Sequence, residues 1–90
     1  MTIRINVHQT HRRFTDGLKM VEVKGTTVGD CLSHLIKQFP AMEQEIFKKK
    51  GQLRNNVEIF INMASAYPDE LAKPVSDGDE IHITLMLAGG

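Results

Sequence analysis

Length and composition limit this chain to one small globular domain. It has 90 residues, of which 41% are hydrophobic and 24% are charged. Eleven basic and eleven acidic residues give a formal net charge of zero, so no bulk electrostatic attraction draws the chain to nucleic acid or to a membrane. The single cysteine excludes an internal disulfide and fits a reducing compartment, and residues 1–8 lack the apolar core of a signal peptide. We therefore expect one cytoplasmic domain that finds its partners through local surface.

The N-terminal quarter of the chain predicts a β-hairpin. Hydrophobic and polar residues alternate in residues 2–8, which is the pattern of a strand with one buried and one solvated face. A polar, basic stretch follows, and Asp16-Gly17 supplies a turn signal. Beyond this turn, Val21 and Val23 share one face of a second strand.

The apolar residues between Thr27 and Pro40 change to helical spacing. They recur at intervals of three and four residues and so form one helical stripe: Val28, Cys31, Leu32, Leu35, Ile36 and Phe39. Thr27 is placed to cap the first turn, and Asp30 brings a negative charge near the positive end of the helix dipole. Because Pro40 cannot continue a helix, we predict that the main helix ends before it.

The middle of the chain predicts a short second helix and a third strand. Met42 and Ile46 lie four residues apart, and the basic residues 48–50 suit the C-terminal end of a helix that closes at the following glycine. Residues 57–63 then alternate, which places Met63 on the buried face and Phe60 on the solvated face.

The last third of the chain predicts an irregular connection and a final strand. Residues 64–75 contain two prolines and mixed polarity, so we expect at most a very short strand around Leu71 and Ala72. A turn signal at residues 76–80 leads into a strand over residues 81–87, in which every second residue is apolar. The chain ends three residues later.

The order of these elements resembles the β-grasp fold of ubiquitin. One helix on one face of a small mixed sheet buries a single apolar stripe against the apolar faces of four strands. The first and last strands can then pair in the middle of the sheet. We therefore predict an α+β fold with a mixed four- to five-stranded sheet packed on one main helix, over residues 1–87, followed by a flexible Ala-Gly-Gly tail at residues 88–90.

Within this order, several motifs resemble the ThiS and MoaD group of ubiquitin-like sulfur carriers. They are the helix opening "TTVGDCLSHL", the turn "DGDE" at residues 77–80 and the terminal "AGG". Residues 12–30 and 51–62 are most similar to the long branch of the group, which includes the sulfur carrier for cysteine synthesis. The chain departs from the group's pattern in the turn after the third strand and in having no proline before the tail. The pathway therefore stays open among cysteine, molybdopterin or its tungsten counterpart, thiamin and another thio-metabolite.

The resemblance implies a protein co-substrate, or the small subunit of a sulfur-transfer complex, with no catalytic residues and no bound cofactor of its own. An E1-like enzyme would use ATP and magnesium to adenylate the carboxyl group of Gly90. A sulfur donor would then replace AMP and leave a thiocarboxylate, which a sulfur-accepting biosynthetic enzyme would consume. Gly89 and Ala88 would let the tail thread into narrow active sites, since glycine has no Cβ.

Two alternative functions stay open at this stage. The same acyl-adenylate serves ubiquitin-like modifiers, in which Gly90 would form isopeptide bonds with lysines. The chain also fits a non-catalytic β-grasp interaction module whose Gly-Gly end is incidental.

Phe60, His82 and Met86 are the predicted partner-binding residues. Period-two counting places all three on the solvent side of strands that we expect to be neighbours. An exposed aromatic ring and an exposed methionine near the tail favour a binding face.

The remaining chemistry-bearing residues predict no metal site and no catalytic site. Cys31 lies on the helical stripe and is interpreted as a small buried hydrophobe with an inert thiol. His8 and His11 have no cysteine or carboxylate partner at a ligand spacing. His34 and His82 are too scattered to form a catalytic group. Because no glycine-rich loop enters a helix at P-loop spacing, we expect nucleotide to bind to the activating partner.

Overall fold

The computed structural model describes residues 2–86, which form a sheet with helices on one face. The strands are β1 Thr2–Asn6, β2 Met20–Lys24, β3 Phe47–Lys49, β4 Gln52–Leu53, β5 Val57–Ile61, β6 Ala64–Ser65 and β7 Glu80–Leu85, and the helices are α1 Val28–Gln38 and α2 Met42–Ile46. Short 3₁₀ helices span Gln9–Phe14 and Glu70–Ala72. Among residues 2–86, no helix is long and apolar enough to cross a membrane.

The main sheet has the strand order β2-β1-β7-β5-β6. The central pair, β1 and β7, is parallel, and every other neighbouring pair is antiparallel. Strands β3 and β4 form a separate two-stranded sheet. The terminal strands therefore meet in the centre, as the sequence predicts, and the fold is a β-grasp.

The core lies between the inner face of the sheet and the apolar stripe of α1. The alternating residues of β1, β2, β5 and β7 point inward, and four residues of the α1 stripe are buried: Val28, Cys31, Leu32 and Leu35. Thr27 caps the helix as predicted, because its hydroxyl oxygen accepts a hydrogen bond from the Asp30 N–H at 3.1 Å. Hydrogen bonds from the side chain and backbone of Thr26 lower the pKa of the Asp30 carboxyl group.

The basic segment after Ile46 is a strand, so the prediction of a helix that continues to Gly51 is wrong. Helix α2 ends at Ile46, and Phe47 adopts extended backbone angles. Phe47 then pairs with Leu53 across a tight turn in which Gly51 has a φ of +77°. The pair stabilises the hairpin because both side chains pack against the core, whereas a helix continued beyond Phe47 would add only lysines before Gly51.

The third strand of the prediction is two residues too long, because a turn begins after Ile61. Asn62 and Met63 both have positive φ, 49° and 72°, and together they join β5 to β6. Met63 is 75% exposed, so its predicted place on the buried face is wrong.

A hydrogen-bond network around the "DGDE" turn holds Asn62 in this unusual conformation. Its side-chain amide donates to the Asp79 carboxylate at 2.9 Å and its side-chain carbonyl accepts from the Glu80 N–H at 3.0 Å. The Asp79 carboxylate also accepts from the Ser76 N–H at 2.8 Å. These bonds lower the pKa of Asp79, that from Ser76 contributing most, and they join the end of β5 to the start of β7.

The predicted short strand around Leu71 and Ala72 is wrong, because this segment is a 3₁₀ helix. The N–H groups of Ala72 and Lys73 donate to the carbonyls three residues earlier, at Asp69 and Glu70. The predicted strand residue Leu87 and the tail residues 88–90 lie outside the described residues.

Replacing Asp79 by alanine is expected to lower the free energy of unfolding by about 1 to 2 kcal/mol, because two hydrogen bonds to a carboxylate are lost. Urea denaturation of both proteins measures this difference. Asp69→Ala is the matched control, since the Asp69 side chain makes no capping hydrogen bond and its loss should change stability by less than about 0.5 kcal/mol. Equal effects of the two substitutions would contradict the role of the network.

Candidate functional site

The outer face of the main sheet carries one continuous row of side chains across all five strands. Strand register places the members of this row side by side, in the order Met20, Asn6, His82, Phe60 and Ser65. On β1, β2, β5 and β7 their neighbours along the strand point to the core, because side chains alternate between the two faces. The predicted residues Phe60 and His82 are thus directly opposite each other on β5 and β7.

Met86 lies on the same face as His82 but farther along the chain. The Met86 N–H donates to the Asn56 carbonyl at 2.8 Å, so the pairing of β7 with the β5 segment extends one residue beyond Leu85. Met86 is 46% exposed. Met86 lies four residue steps of extended chain from His82, which is about 13 Å. The three predicted residues therefore share one face but do not form one contact cluster.

Polar residues occupy the part of this face between Phe60 and Met86. Glu58 is directly opposite Thr84 in the register of β5 and β7. On the other side of His82, the Glu80 carboxylate lies 2.9 Å from His82 Nε2. The face therefore offers a partner a half-buried aromatic ring beside an imidazole–carboxylate pair, with exposed methionines at Met20 and Met86. Binding of a partner to Phe60, His82 and Met86 stays a prediction, and Gly90, Gly89 and Ala88 lie outside the described residues.

The only cysteine of the chain is fully buried, as the sequence predicts. Burial, and secondarily the negative charge of Asp30, raises the pKa of Cys31 to about 11. Because the thiolate is the reactive form, this side chain contributes packing rather than sulfur chemistry at neutral pH. Among residues 2–86, no group of three or more histidine, cysteine, aspartate or glutamate side chains is arranged to hold a metal ion.

His11 is a buried polar residue whose position the sequence does not reveal. It is 2% exposed, and its Nδ1 has no hydrogen-bond partner among residues 2–86. Its Nε2 lies 3.8 Å from the Glu45 carboxylate, and the rings of His8 and Phe14 lie nearby. Burial lowers the pKa of His11, as does His8 to a smaller extent, and Glu45 opposes the shift.

Acidification is expected to destabilise the protein through His11. The unfolded chain takes up a proton near pH 6.5, whereas the folded protein resists protonation until a lower pH. The free energy of unfolding is therefore unaffected by His11 well above pH 6.5, and it decreases as the pH falls through and below 6.5. Urea denaturation between about pH 8 and pH 5 should show a smaller loss of stability for His11→Phe than for the parent protein. His8→Gln, at the more exposed ring, should keep most of the parent's pH dependence, and an unchanged profile for His11→Phe would contradict the assignment.

Comparison with known protein families assigns the chain to one family. The ThiS family matches residues 5–90, which is nearly the whole sequence. The chain belongs to the ThiS family. The family match and the β-grasp topology confirm the resemblance that the sequence motifs indicate.

Two curated relatives show how this family is used elsewhere. The chain is 27% identical to the sulfur carrier protein CysO of Mycobacterium tuberculosis over 93 aligned residues, which cover 100% of both chains. It is 32% identical to the small archaeal modifier protein 1 of Haloferax volcanii over 71 residues, which cover 78% of each chain.

Solved structures give the same assignment. A chain in the BexX/CysO complex of Amycolatopsis orientalis has a TM-score of 0.88 and 25% identity, and the match covers 98% of this chain and 99% of that one. The structure of small archaeal modifier protein 1 (SAMP1) from H. volcanii has a TM-score of 0.85 and 25% identity, and the match covers the full length of both chains.

Proposed function

We propose that this protein is a sulfur carrier whose C-terminal carboxyl group, on Gly90, is converted to a thiocarboxylate. The observation that carries the proposal is the match to the ThiS family, which runs to residue 90, together with similarity to CysO over its whole length. The last described strand, β7, ends at Leu85, five positions before Gly90 in the sequence.

The proposed chemistry needs activation because a carboxylate is a poor electrophile. An E1-like enzyme would bind the protein and use ATP and magnesium to form an acyl-adenylate at Gly90, with release of pyrophosphate. A sulfur donor would then attack the acyl carbon and displace AMP, which replaces one carboxyl oxygen by sulfur. A sulfur-accepting enzyme would take that sulfur, and a water molecule would supply the oxygen that restores the carboxylate.

In this proposal the folded domain contributes recognition and presentation. Residues 2–86 hold no metal-binding group, and their one thiol is buried with a raised pKa. The outer face around Phe60 and His82 would dock the enzymes, and Gly89 and Ala88 would carry the carboxyl group into their active sites. In the structure of the BexX/CysO complex, a protein with this fold is assembled with a second protein.

A second function is favoured by a specific comparison, the 32% identity to small archaeal modifier protein 1. In a modifier, the activated carboxyl group of Gly90 would acylate lysine amines and release AMP, so the first step is shared with the sulfur carrier. The two functions differ only in the nucleophile that attacks the acyl-adenylate.

Intact mass spectrometry tests both functions in one experiment. The full-length protein is incubated with the E1-like enzyme of the same organism, ATP, magnesium and a sulfide source, and a sample without ATP serves as the control. We expect a mass increase equal to the exchange of one oxygen for sulfur, localised to Gly90 by fragmentation. Conjugates on lysines would establish the modifier instead, and an unchanged mass in the presence of active enzyme would count against both.

A further inference from the structure

A groove of about 710 Å³ runs along the side of β5 that faces away from β7. One wall is formed by residues 51–55, which include β4, and the other by residues 67–72. The larger apolar side chains among the residues that line it are Leu53, Val57, Ile59, Tyr67, Leu71 and Met86. We call this feature the β5 groove. Phe60 and His82 do not line it, but it shares Glu58, Ser65 and Met86 with the outer face, and Met86 is the last described residue.

The backbone of β5 presents free hydrogen-bonding groups to this groove. The Asn62 N–H bonds to the Glu80 carbonyl and the Met86 N–H bonds to the Asn56 carbonyl, so the backbone N–H and C=O groups of even-numbered residues in this segment point toward β7. The backbone groups of the odd-numbered residues therefore point toward the opposite edge of β5. Among residues 2–86, the Val57 carbonyl and the Ile59 N–H have no backbone partner, because β6 pairs only with Phe60 and Ile61.

These two groups are placed to receive an extended peptide. Pairing between β5 and the β6 segment ends at the Ile59 carbonyl, which accepts a hydrogen bond from the Ala66 N–H at 2.9 Å. After Ala66 the chain leaves the sheet. One residue of a parallel strand opposite Glu58 can pair with both free groups, as can two flanking residues of an antiparallel strand. An unpaired N–H beside apolar side chains costs free energy unless water or a ligand satisfies it.

The far wall of the groove is held rigidly by α1. The Val28 N–H donates to the Lys73 carbonyl at 3.0 Å, and Thr27 forms a β-bridge with Pro74. At Gly29 the helix approaches so closely that a Cβ would lie 3.0 Å from the Leu71 carbonyl oxygen. The segment at residues 70–74 is therefore fixed against the helix, and the groove does not need to open before a ligand enters.

The charges around the groove select the partner. Arg54 is its one cationic lining residue, whereas Glu58, Asp69 and Glu70 are anionic. The apolar floor and the surplus of carboxylates together suit a segment with alternating apolar side chains and basic residues next to them.

We propose that the β5 groove binds an extended segment of a partner protein, which adds a strand to the free edge of β5 and places lysine or arginine side chains near Glu58, Asp69 and Glu70. The strand bonds to the Val57 carbonyl and the Ile59 N–H, and its apolar side chains cover the floor. Because Met86 lines the groove, a partner bound there contacts the last described residue of the chain. The proposal stands on these residues alone and does not depend on sulfur transfer.

Synthetic peptides test the proposal on the full-length protein by NMR. The probe is acetyl-Lys-Val-Ile-Val-Lys-amide, and the controls are the same peptide with glutamates in place of lysines and a version N-methylated on its three central residues. We expect the largest shift changes at the amides of Val57 to Ile59 and of Leu71, and binding at least about tenfold weaker for both control peptides. Equal binding of all three peptides, shifts confined to the Phe60 and His82 face, or no binding would overturn the proposal.

Variants separate the partner segment from other occupants of the groove. Asp69→Lys combined with Glu70→Lys should reverse the preference toward the glutamate peptide, whereas Glu22→Lys on β2, at the other side of the sheet, should leave the preference unchanged. Removal of residues 87–90 should change peptide affinity by less than about twofold. If that truncation alone shifts the groove amides, the tail is the occupant, and if dilution alone shifts them, a second copy is. Either result would overturn the proposal.

Discussion

Deletion of Gly90 is expected to slow sulfur loading by at least about a hundredfold while leaving the fold and its thermal stability unchanged. The deletion moves the carboxyl group back by one residue, about 3.3 to 3.6 Å of extended chain. Because a misplacement of about 1 Å can reduce a rate a hundredfold, we expect the loading rate to fall by at least that factor. Stability should not change, since the buried cluster contains no residue after Ile83 among the described residues.

Deletion of Ala88 is the matched control for this prediction. It shortens the tail by the same length but keeps the Gly-Gly end. If reach from the sheet decides the reaction, both deletions should fail, and if only the terminal glycines matter, the Ala88 deletion should load normally. Mass spectrometry of the products and a melting curve for each protein provide the two measurements. Loading of the Gly90 deletion at the parent rate would contradict the assignment of Gly90 as the reacting residue.

The elements that the sequence predicts correctly are those whose burial follows a simple period. The alternating residues of β1, β2 and β7 and the stripe on α1 all pack into one core. Their hydrophobic spacing is therefore sufficient to predict these strands and this helix. The parallel pairing of β1 with β7 follows from the element order rather than from any local signal.

The elements that it misses depend on contacts between distant parts of the chain. Asn62 adopts a positive φ because Asp79 and Glu80, far along the sequence, bond to its side chain. Phe47 leaves the helical conformation because it pairs with Leu53. In each case local spacing favours one structure, and a tertiary contact stabilises another.

The candidate site shows the same division. Period-two counting is sufficient to place Phe60 and His82 on the outer face, but only the register of β5 with β7 shows that they are directly opposite. The distance between His82 and Met86 also requires the register. The β5 groove is beyond sequence reasoning, since its lining residues come from segments that are separate along the chain and meet only in the fold.

Phe60→Asp is expected to weaken activation by the E1-like enzyme while the protein stays folded. Phe60 lies on the outer face of β5 and is not part of the buried cluster, so a carboxylate at this position stays in contact with solvent. Loss of a central aromatic contact typically costs an interface about 2 kcal/mol or more, which is roughly a thirtyfold loss of affinity. Pyrophosphate release, measured against the concentration of the carrier, reports this loss as a raised KM.

Met20→Asp provides the matched control for Phe60→Asp, because Met20 belongs to the same cross-strand row and is 38% exposed. Three strand spacings, about 14 Å, separate Met20 on β2 from Phe60 on β5. Both substitutions replace an outer-face apolar side chain by the same charge, so a general effect of charge on this face should weaken activation equally in the two variants. A docking surface centred on Phe60 and His82 should instead leave Met20→Asp within about threefold of the parent protein. Normal activation of Phe60→Asp would exclude this part of the face from the contact with the enzyme and would leave the tail and the β5 groove as the surfaces to examine.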